Sequence, residues 1–200
     1  VLDSLNILHT GTFKDLGERE TKNLLILSKD GIKVGVLNYT YGTNGNKFSS
    51  PAYVNLLDSI LIKKDIKKAK KEYLDKLIVY VHWGYEYRDF PNSYQKNYNR
   101  FFQDLGVDIV IGSHPHVIQQ MEYCKKNNQE FLTVFSLGNF VSNQREERKD
   151  GGAMIRLSFK KSYNNFLISR KEYIPVWVHK FMEKKKYHYQ ILPCARPIYN

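Results

Sequence analysis

Apolar positions along the chain change their spacing several times, and each spacing implies a different element. Leu24-Leu25-Ile26-Leu27 and Val34-Gly35-Val36-Leu37 are short apolar runs separated by Lys29-Asp30-Gly31. Asp-Gly supplies the positive φ of a tight turn, so residues 23–40 read as a β-hairpin. Residues 42–51 are polar and rich in Gly, Asn and Ser, a loop composition. Ile62, Ile66, Ala69, Tyr73 and Leu74 then recur at helical spacing, with lysines on the other face. Residues 77–81 are a continuous apolar run, the pattern of a strand buried on both sides. Residues 94–105 are helical again, and Gly106 stands where a helix cap needs a left-handed residue. Two more buried strands are expected at 107–111 and 131–137. Residues 153–159 alternate as a sheet-edge strand does, and 168–178 form another strand that Pro175 is expected to interrupt. Hairpin, helix, strand, helix, strand, strand and a β-rich end predict a layered α/β (α+β) fold with helices packed on a sheet. In such sheets ligands bind beyond the carboxyl ends of central strands.

Those ends carry the candidate chemistry. The run at 77–81 leads into His82-Trp83-Gly84-Tyr85-Glu86-Tyr87, that at 107–111 into Gly112-Ser113-His114-Pro115-His116, and that at 131–135 into Ser136-Leu137-Gly138-Asn139-Phe140. Neutral imidazole is a good ligand for zinc, manganese or iron. His-x-His offers two rings from one short loop, and Pro115 stiffens that loop. His82, His114 and His116 are therefore the candidate metal ligands. Glu86 and Asp89 are candidate acids, either lining the site or pairing with Arg88 and Lys96. Asn139 follows a glycine at a strand end, where an amide forms a turn or reaches into a cleft. His9, His179 and His188 lack such a setting and read as surface or packing residues.

Composition narrows the function classes. The chain has 200 residues, 42% hydrophobic and 14% aromatic, enough for a core and unlike a disordered tail. No apolar run approaches the ~18 residues of a membrane-spanning helix, and no signal-peptide pattern is present. The chain starts Val1-Leu2-Asp3 without an initiator Met, which suggests a processed product or a fragment. Lys and Arg number 31 against 20 acids, a net charge of +11. Residues 63–76 hold seven lysines against three acids, and Lys184-Lys185-Lys186 form a second knot. Both suit a solvated surface, or contact with a polyanion. No zinc finger, RNP-like run or KH-type loop supports nucleic acid as a partner. Cys124 and Cys194 permit one disulfide without requiring it. There is no nucleophile elbow, no Walker A loop and no dinucleotide fingerprint.

The combined motifs resemble a known family. His82-Trp83-Gly84, Glu86-Tyr87, Pro91 and Gln95 are followed by Gly106-Val107-Asp108-Ile109-Val110-Ile111-Gly112-Ser113-His114-Pro115-His116-Val117, then Gln119, Glu122 and Ser136-Leu137-Gly138-Asn139-Phe140. Together with residues 38–44 and 173–178, they look like the bacterial CapA family of poly-γ-glutamate capsule biosynthesis, whose fold is that of calcineurin-like metallophosphoesterases. The resemblance implies a metallophosphoesterase-like β-sandwich flanked by helices. His82, His114 and His116 would be ligands of divalent metal (Mn, Fe or Zn, two ions in an intact domain), with Glu86 and Asn139 around the cleft. It implies metal-assisted hydrolysis or transfer on an anionic polymer or phosphate ester, membrane-bound capsule-synthesis partners, and a place in the cell envelope, extracytoplasmic or membrane-associated. Family members also carry a Gly-Asp, a further acidic residue and an Asn-Asn-His turn that this sequence lacks. Residues 1–12 resemble the helix end and short strand that follow that turn. Residues 1–200 are thus expected to be one CapA-like domain truncated at its N-terminal side, with part of the metal site missing. The alternative is a non-catalytic polymer-handling or assembly subunit on the same fold.

Overall fold

The computed structural model describes residues 1–126, 129–162 and 165–194. A 3-10 turn at Asp3–Leu5 leads to β1 (Thr12–Phe13), α1 (Leu16–Lys22), β2 (Leu25–Lys29), β3 (Ile32–Thr40) and β4 (Tyr53–Val54). Then come α2 (Ser59–Ala69), β5 (Lys76–His82), α3 (Ser93–Asp104), β6 (Ile109–Ser113), β7 (Met121–Lys126) and β8 (Gln129–Val134). β9 (Gly151–Ser162), β10 (Asn165–Glu183) and β11 (Lys186–Pro193) close the described chain.

Local chemistry explains the best-defined elements. Asp30 and Gly31 both take positive φ (51° and 74°), the signature of the type I′ turn that joins β2 to β3. Asp58 caps α2 by accepting from the N–H groups of Ile60 and Leu61, both at 2.8 Å. Asn92 and Gln95 form a capping box at the start of α3. At its end, Gly106 N–H donates to Gln103 O (2.8 Å) and Val107 N–H to Phe102 O (3.0 Å). With Gly106 at φ 72° this is a Schellman motif.

The layers follow from side-chain alternation. A six-stranded sheet runs in the order β2-β3-β5-β6-β8-β7, with β3, β5, β6 and β8 parallel. Val79, Val81 and Val110 point to one face, where they pack with Leu37, Ile62, Ile66, Trp83 and Phe102 beneath α2 and α3. Ile78, Ile109, Ile111 and Leu132 point to the other, against Leu157, Phe159 and Ile168 of the second sheet, ordered β11-β10-β9. Helices, six-stranded sheet and three-stranded sheet thus form a mixed α/β sandwich, helix-covered on one side, as the sequence leads one to expect.

Several expectations need correction. Pro175 does not interrupt its strand, because β10 runs unbroken and Pro175 pairs with Ala153. Its main-chain polar atoms face β11, where Cys194 N–H donates to the Pro175 carbonyl and the strand pairing ends, so no ladder bond is lost. The strand expected at 107–111 starts two residues later, because the Schellman motif consumes Gly106 and Val107, and it takes in Gly112 and Ser113. The strand expected at 131–137 ends at Val134. The short strand expected within residues 1–12 does not form before Thr12, where pairing begins. Lys76 does not belong to a solvated face: it is 6% exposed and meets Asp108 at 3.0 Å. β7 and β11 have too few apolar residues to signal themselves. Pairing with β8 and β10 makes them strands. Cys124 and Cys194 are both free thiols.

Candidate metal centre

Parallel register assembles the site. Thr40 pairs with His82 and His82 with Ser113, so the carboxyl ends of β3, β5 and β6 lie level. Tyr41 N–H donates to His82 O (2.9 Å) and Trp83 N–H to Ser113 O (3.0 Å), which carries the alignment one residue past the strands. Tyr41, His82 and His114 are thereby neighbours although the sequence separates them widely. Trp83 is fully buried and donates its indole N–H to Phe135 O at 3.0 Å. Gly112 is obligatory beneath it, because a Cβ there would lie 2.1 Å from that carbonyl oxygen and 2.4 Å from the indole nitrogen. A strained backbone then aims the side chains: Gly84, Tyr87, His114 and His116 take φ values of 95°, 62°, 104° and 59°. Non-glycine residues hold such values only when their surroundings impose them, and they concentrate at functional sites.

Glu86, His114 and His116 each present one ligand atom, and the three atoms lie within 4.8 Å of one another. His82 stands beside them, its ring centroid 4.6 Å from that of His114. It is outside the mutually close set, and its Nδ1 lies 3.1 Å from Ser113 Oγ. Asn139 reaches His116 Nδ1 with its side-chain oxygen at 2.8 Å. Burial, followed by the neighbouring His114 and His116, pushes the His82 imidazole down to about 4, against the pull of Glu86. Burial also lowers His114, which Glu86 opposes and His116 reinforces. Both rings are therefore neutral near neutral pH, with lone pairs available. Two imidazoles and a carboxylate are a donor set that suits zinc or iron, and a carboxylate also suits manganese. The residues present fit a divalent ion.

The sequence-derived candidates thus separate. Glu86, His114, His116 and Asn139 come together, and His82 adjoins them. Asp89 joins neither the site nor Arg88 or Lys96, because it pairs with Arg148 at 2.5 Å. His9 contacts Asp3 at 3.2 Å. His179 stacks on Phe181, which stacks on His188, with centroids at 5.3 and 5.4 Å. Sequence reasoning missed Tyr41, whose ring lies 4.6 Å from His114 and 5.9 Å from His82. It falls in a stretch that carried the family resemblance, but no chemistry pointed to it. Lys149, whose ammonium sits 3.7 Å from the Tyr87 ring centroid, and Gln144 gave no signal at all. A cleft of about 220 Å³, lined in part by Asn38, Thr40, Tyr80 and His82, opens beside the centre.

Comparison with known proteins accords with this architecture. The family described as bacterial capsule synthesis protein PGA_cap matches residues 1–144. A PGA biosynthesis protein CapA from Bacillus subtilis (strain 168) is 31% identical over 154 residues, 75% of this chain and 38% of that protein. A capsule biosynthesis protein CapA from Bacillus anthracis is 29% identical over 143 residues, 69% of this chain and 34% of that protein. The chain therefore spans little more than a third of either relative. Among solved structures, the NAD nucleotidase of Haemophilus influenzae superposes with a TM-score of 0.51 at 13% identity, covering 92% of this chain and 38% of the nucleotidase. A putative 5′-nucleotidase from Staphylococcus aureus gives 0.51 at 14% identity, covering 84% and 32%. These two likenesses concern the fold alone, and they agree with the helix-flanked sandwich. With the profile match covering residues 1–144 of 200, the chain belongs to the bacterial capsule synthesis protein PGA_cap family.

Proposed function

We propose that this chain works in the synthesis of a capsule or other cell-envelope polymer. In this reading Glu86, His114 and His116, with His82 beside them, hold a divalent ion of the zinc, manganese or iron type. The observation that carries the metal reading is the convergence of three ligand atoms within 4.8 Å at the carboxyl ends of parallel strands. The polymer reading rests on family membership and on the names of the Bacillus relatives. A bound ion would supply Lewis acidity toward a phosphoryl or carbonyl oxygen of an anionic polymer or phosphate ester. The chain's own residues define the surroundings. His114 and His116 offer lone pairs, Glu86 offers charge, and Tyr41 covers one side of the His82–His114 pair. The exposed lysines of α2 would attract an anionic substrate. No helix among the described residues is long and apolar enough to cross a membrane, so the envelope location rests on the family.

One observation favours a second reading, that of a non-catalytic polymer-handling or assembly subunit. Among the described residues Glu86 is the one carboxylate in the set, whereas a hydrolytic pair of ions needs bridging carboxylates as well. Metal analysis of the purified chain, with hydrolysis of a chromogenic phosphodiester in added manganese, separates the two. Stoichiometric metal and hydrolysis that disappear together in His114→Ala support the first reading. Metal without hydrolysis supports the second, and absence of metal under saturating manganese or zinc overturns the metal centre and leaves the second reading standing.

A further inference from the structure

We infer that Asn139 sets the tautomer of His116 and so decides which ring nitrogen faces the centre. The consequence for metal rests on the reading above, but the tautomer assignment does not. The two ends of an amide side chain look alike, so their identity must come from their partners. One end of Asn139 lies 2.8 Å from the main-chain carbonyl of Lys149. A carbonyl can only accept, so that end is the NH₂ group. Its second hydrogen goes to Gln144 Oε1 at 2.9 Å. The other end is then the carbonyl oxygen, which also can only accept, and it lies 2.8 Å from His116 Nδ1. Nδ1 must carry a hydrogen, and the lone pair of the neutral ring resides on Nε2. That atom is 3.8 Å from Glu86 Oε1, on the side where the ligand atoms converge.

The clamp around this ring is itself fixed. Asn139 is 8% exposed, and its N–H donates to Gly151 O at 3.0 Å, so its amide is held from turning to solvent. Gln144 donates to the Tyr87 hydroxyl at 3.2 Å, and the Tyr87 ring stacks on His116 with centroids 5.8 Å apart. A free neutral imidazole prefers its hydrogen on Nε2. A ring left to that preference would point a hydrogen toward Glu86 and offer nothing to an ion there. Asn139 is therefore a positioning residue: it acts through His116, as groups behind metal-bound histidines commonly do.

Nitrogen-15 spectra of the metal-free chain test this directly, recorded about two pH units above the ordinary imidazole value of ~6.5. His116 in the wild type is expected to show a protonated Nδ1 and an unprotonated Nε2. In Asn139→Ala the Nε2–H form becomes the major one, and the zinc Kd measured by calorimetry rises about 10–100-fold. Asn139→Asp retains an acceptor and keeps the wild-type tautomer, which leaves the test standing if the alanine variant does not fold. An Nε2–H ring in the wild type overturns the inference, as does an alanine variant with unchanged tautomer and unchanged zinc affinity. Should the wild type bind no zinc, the metal reading falls, while the spectra still decide the tautomer.

Discussion

At the amino ends of β5 and β6 charges cancel in pairs around the buried Lys76. Lys76 meets Asp108 at 3.0 Å, and the same carboxylate accepts from Leu77 N–H at 2.8 Å. Asp75 accepts from Lys33 N–H and pairs with Lys161 at 2.9 Å. At the carboxyl ends of these strands Glu86, His114 and His116 bring ligand atoms within 4.8 Å of one another, His82 stands beside them, and the backbone of His114 and His116 holds an unfavourable φ. Strand composition does not explain the contrast, because both ends belong to the same short elements. One end uses polar groups to complete each other, which rigidifies a core. The other keeps polar groups incomplete, which costs stability and leaves capacity for a ligand.

Substitutions at each end break this comparison if it is wrong. Lys76→Met leaves the half-buried Asp108 carboxylate beside an apolar chain and is expected to cost about 1–3 kcal/mol in urea unfolding, with zinc affinity unchanged in the molecules that remain folded. A loss below about 1 kcal/mol would mean that the amino end is not the stabilising one. His114→Gly should do the reverse. It removes a proposed ligand and is expected to weaken zinc binding by more than the roughly 10–100-fold that a supporting group commands. Yet it costs the fold less than about 1 kcal/mol, because relief of strain of about 1–3 kcal/mol offsets the lost packing. Calorimetry and urea titration on one sample read both effects.

Acid sharpens the comparison at the amino end. Burial alone would raise the Asp75 carboxyl, but the Lys161 ammonium and the Lys33 N–H outweigh it and hold it below its ordinary 3.8. Glu130 is likewise held below 4.5: burial is overcome by the Ile168 N–H, the Tyr123 hydroxyl and the charges of Lys76 and Lys171. Depressed carboxyls bind fewer protons in the folded state. Their stabilisation is complete above the ordinary carboxylate range and drains away as pH falls through the folded values. Lys161→Met should flatten that acid limb in unfolding measured against pH, and an unchanged limb would refute the pairing. The smallest effect belongs to a region remote from both ends. Lys184 and Lys185 join β10 to β11 at φ 48° and 63°, a type I′ geometry without its preferred residues. Replacing them by Asn-Gly should raise stability by about 0.5–1 kcal/mol and leave zinc binding alone.

Legibility in the sequence tracked the range of the forces involved. α3 could be read because its helical pattern and its terminal Gly106 act within a few residues. The β2–β3 hairpin could be read because Asp30-Gly31 carries its own turn. β7 and β11 could not, since Cys124-Lys125 or Lys186-Tyr187-His188 acquire strand character only from the partner they pair with. Pro175 misled because a proline's cost in a strand depends on whether a neighbour needs its missing hydrogen, which sequence does not state. At the site, His82, His114 and His116 stood out by their place after apolar runs and beside glycines. Residue chemistry alone left Glu86 and Asp89, three residues apart in one loop, as equal candidates; the family resemblance singled out Glu86, and the fold brings Glu86 to His116 and Asp89 to Arg148.

The amino-acid sequence by itself determined which segments become central strands and helices, and that imidazoles follow two of those strands. Periodicity, caps and turn residues operate locally, so they survive without a fold. Tertiary structure alone decided that one atom each of Glu86, His114 and His116 lies within 4.8 Å of the others, that His82 stands beside that set instead of within it, and that the Asn139 side-chain oxygen meets His116 Nδ1. Each of these depends on parallel register and on backbone torsions that distant packing enforces, and neither is written in any short stretch of chain.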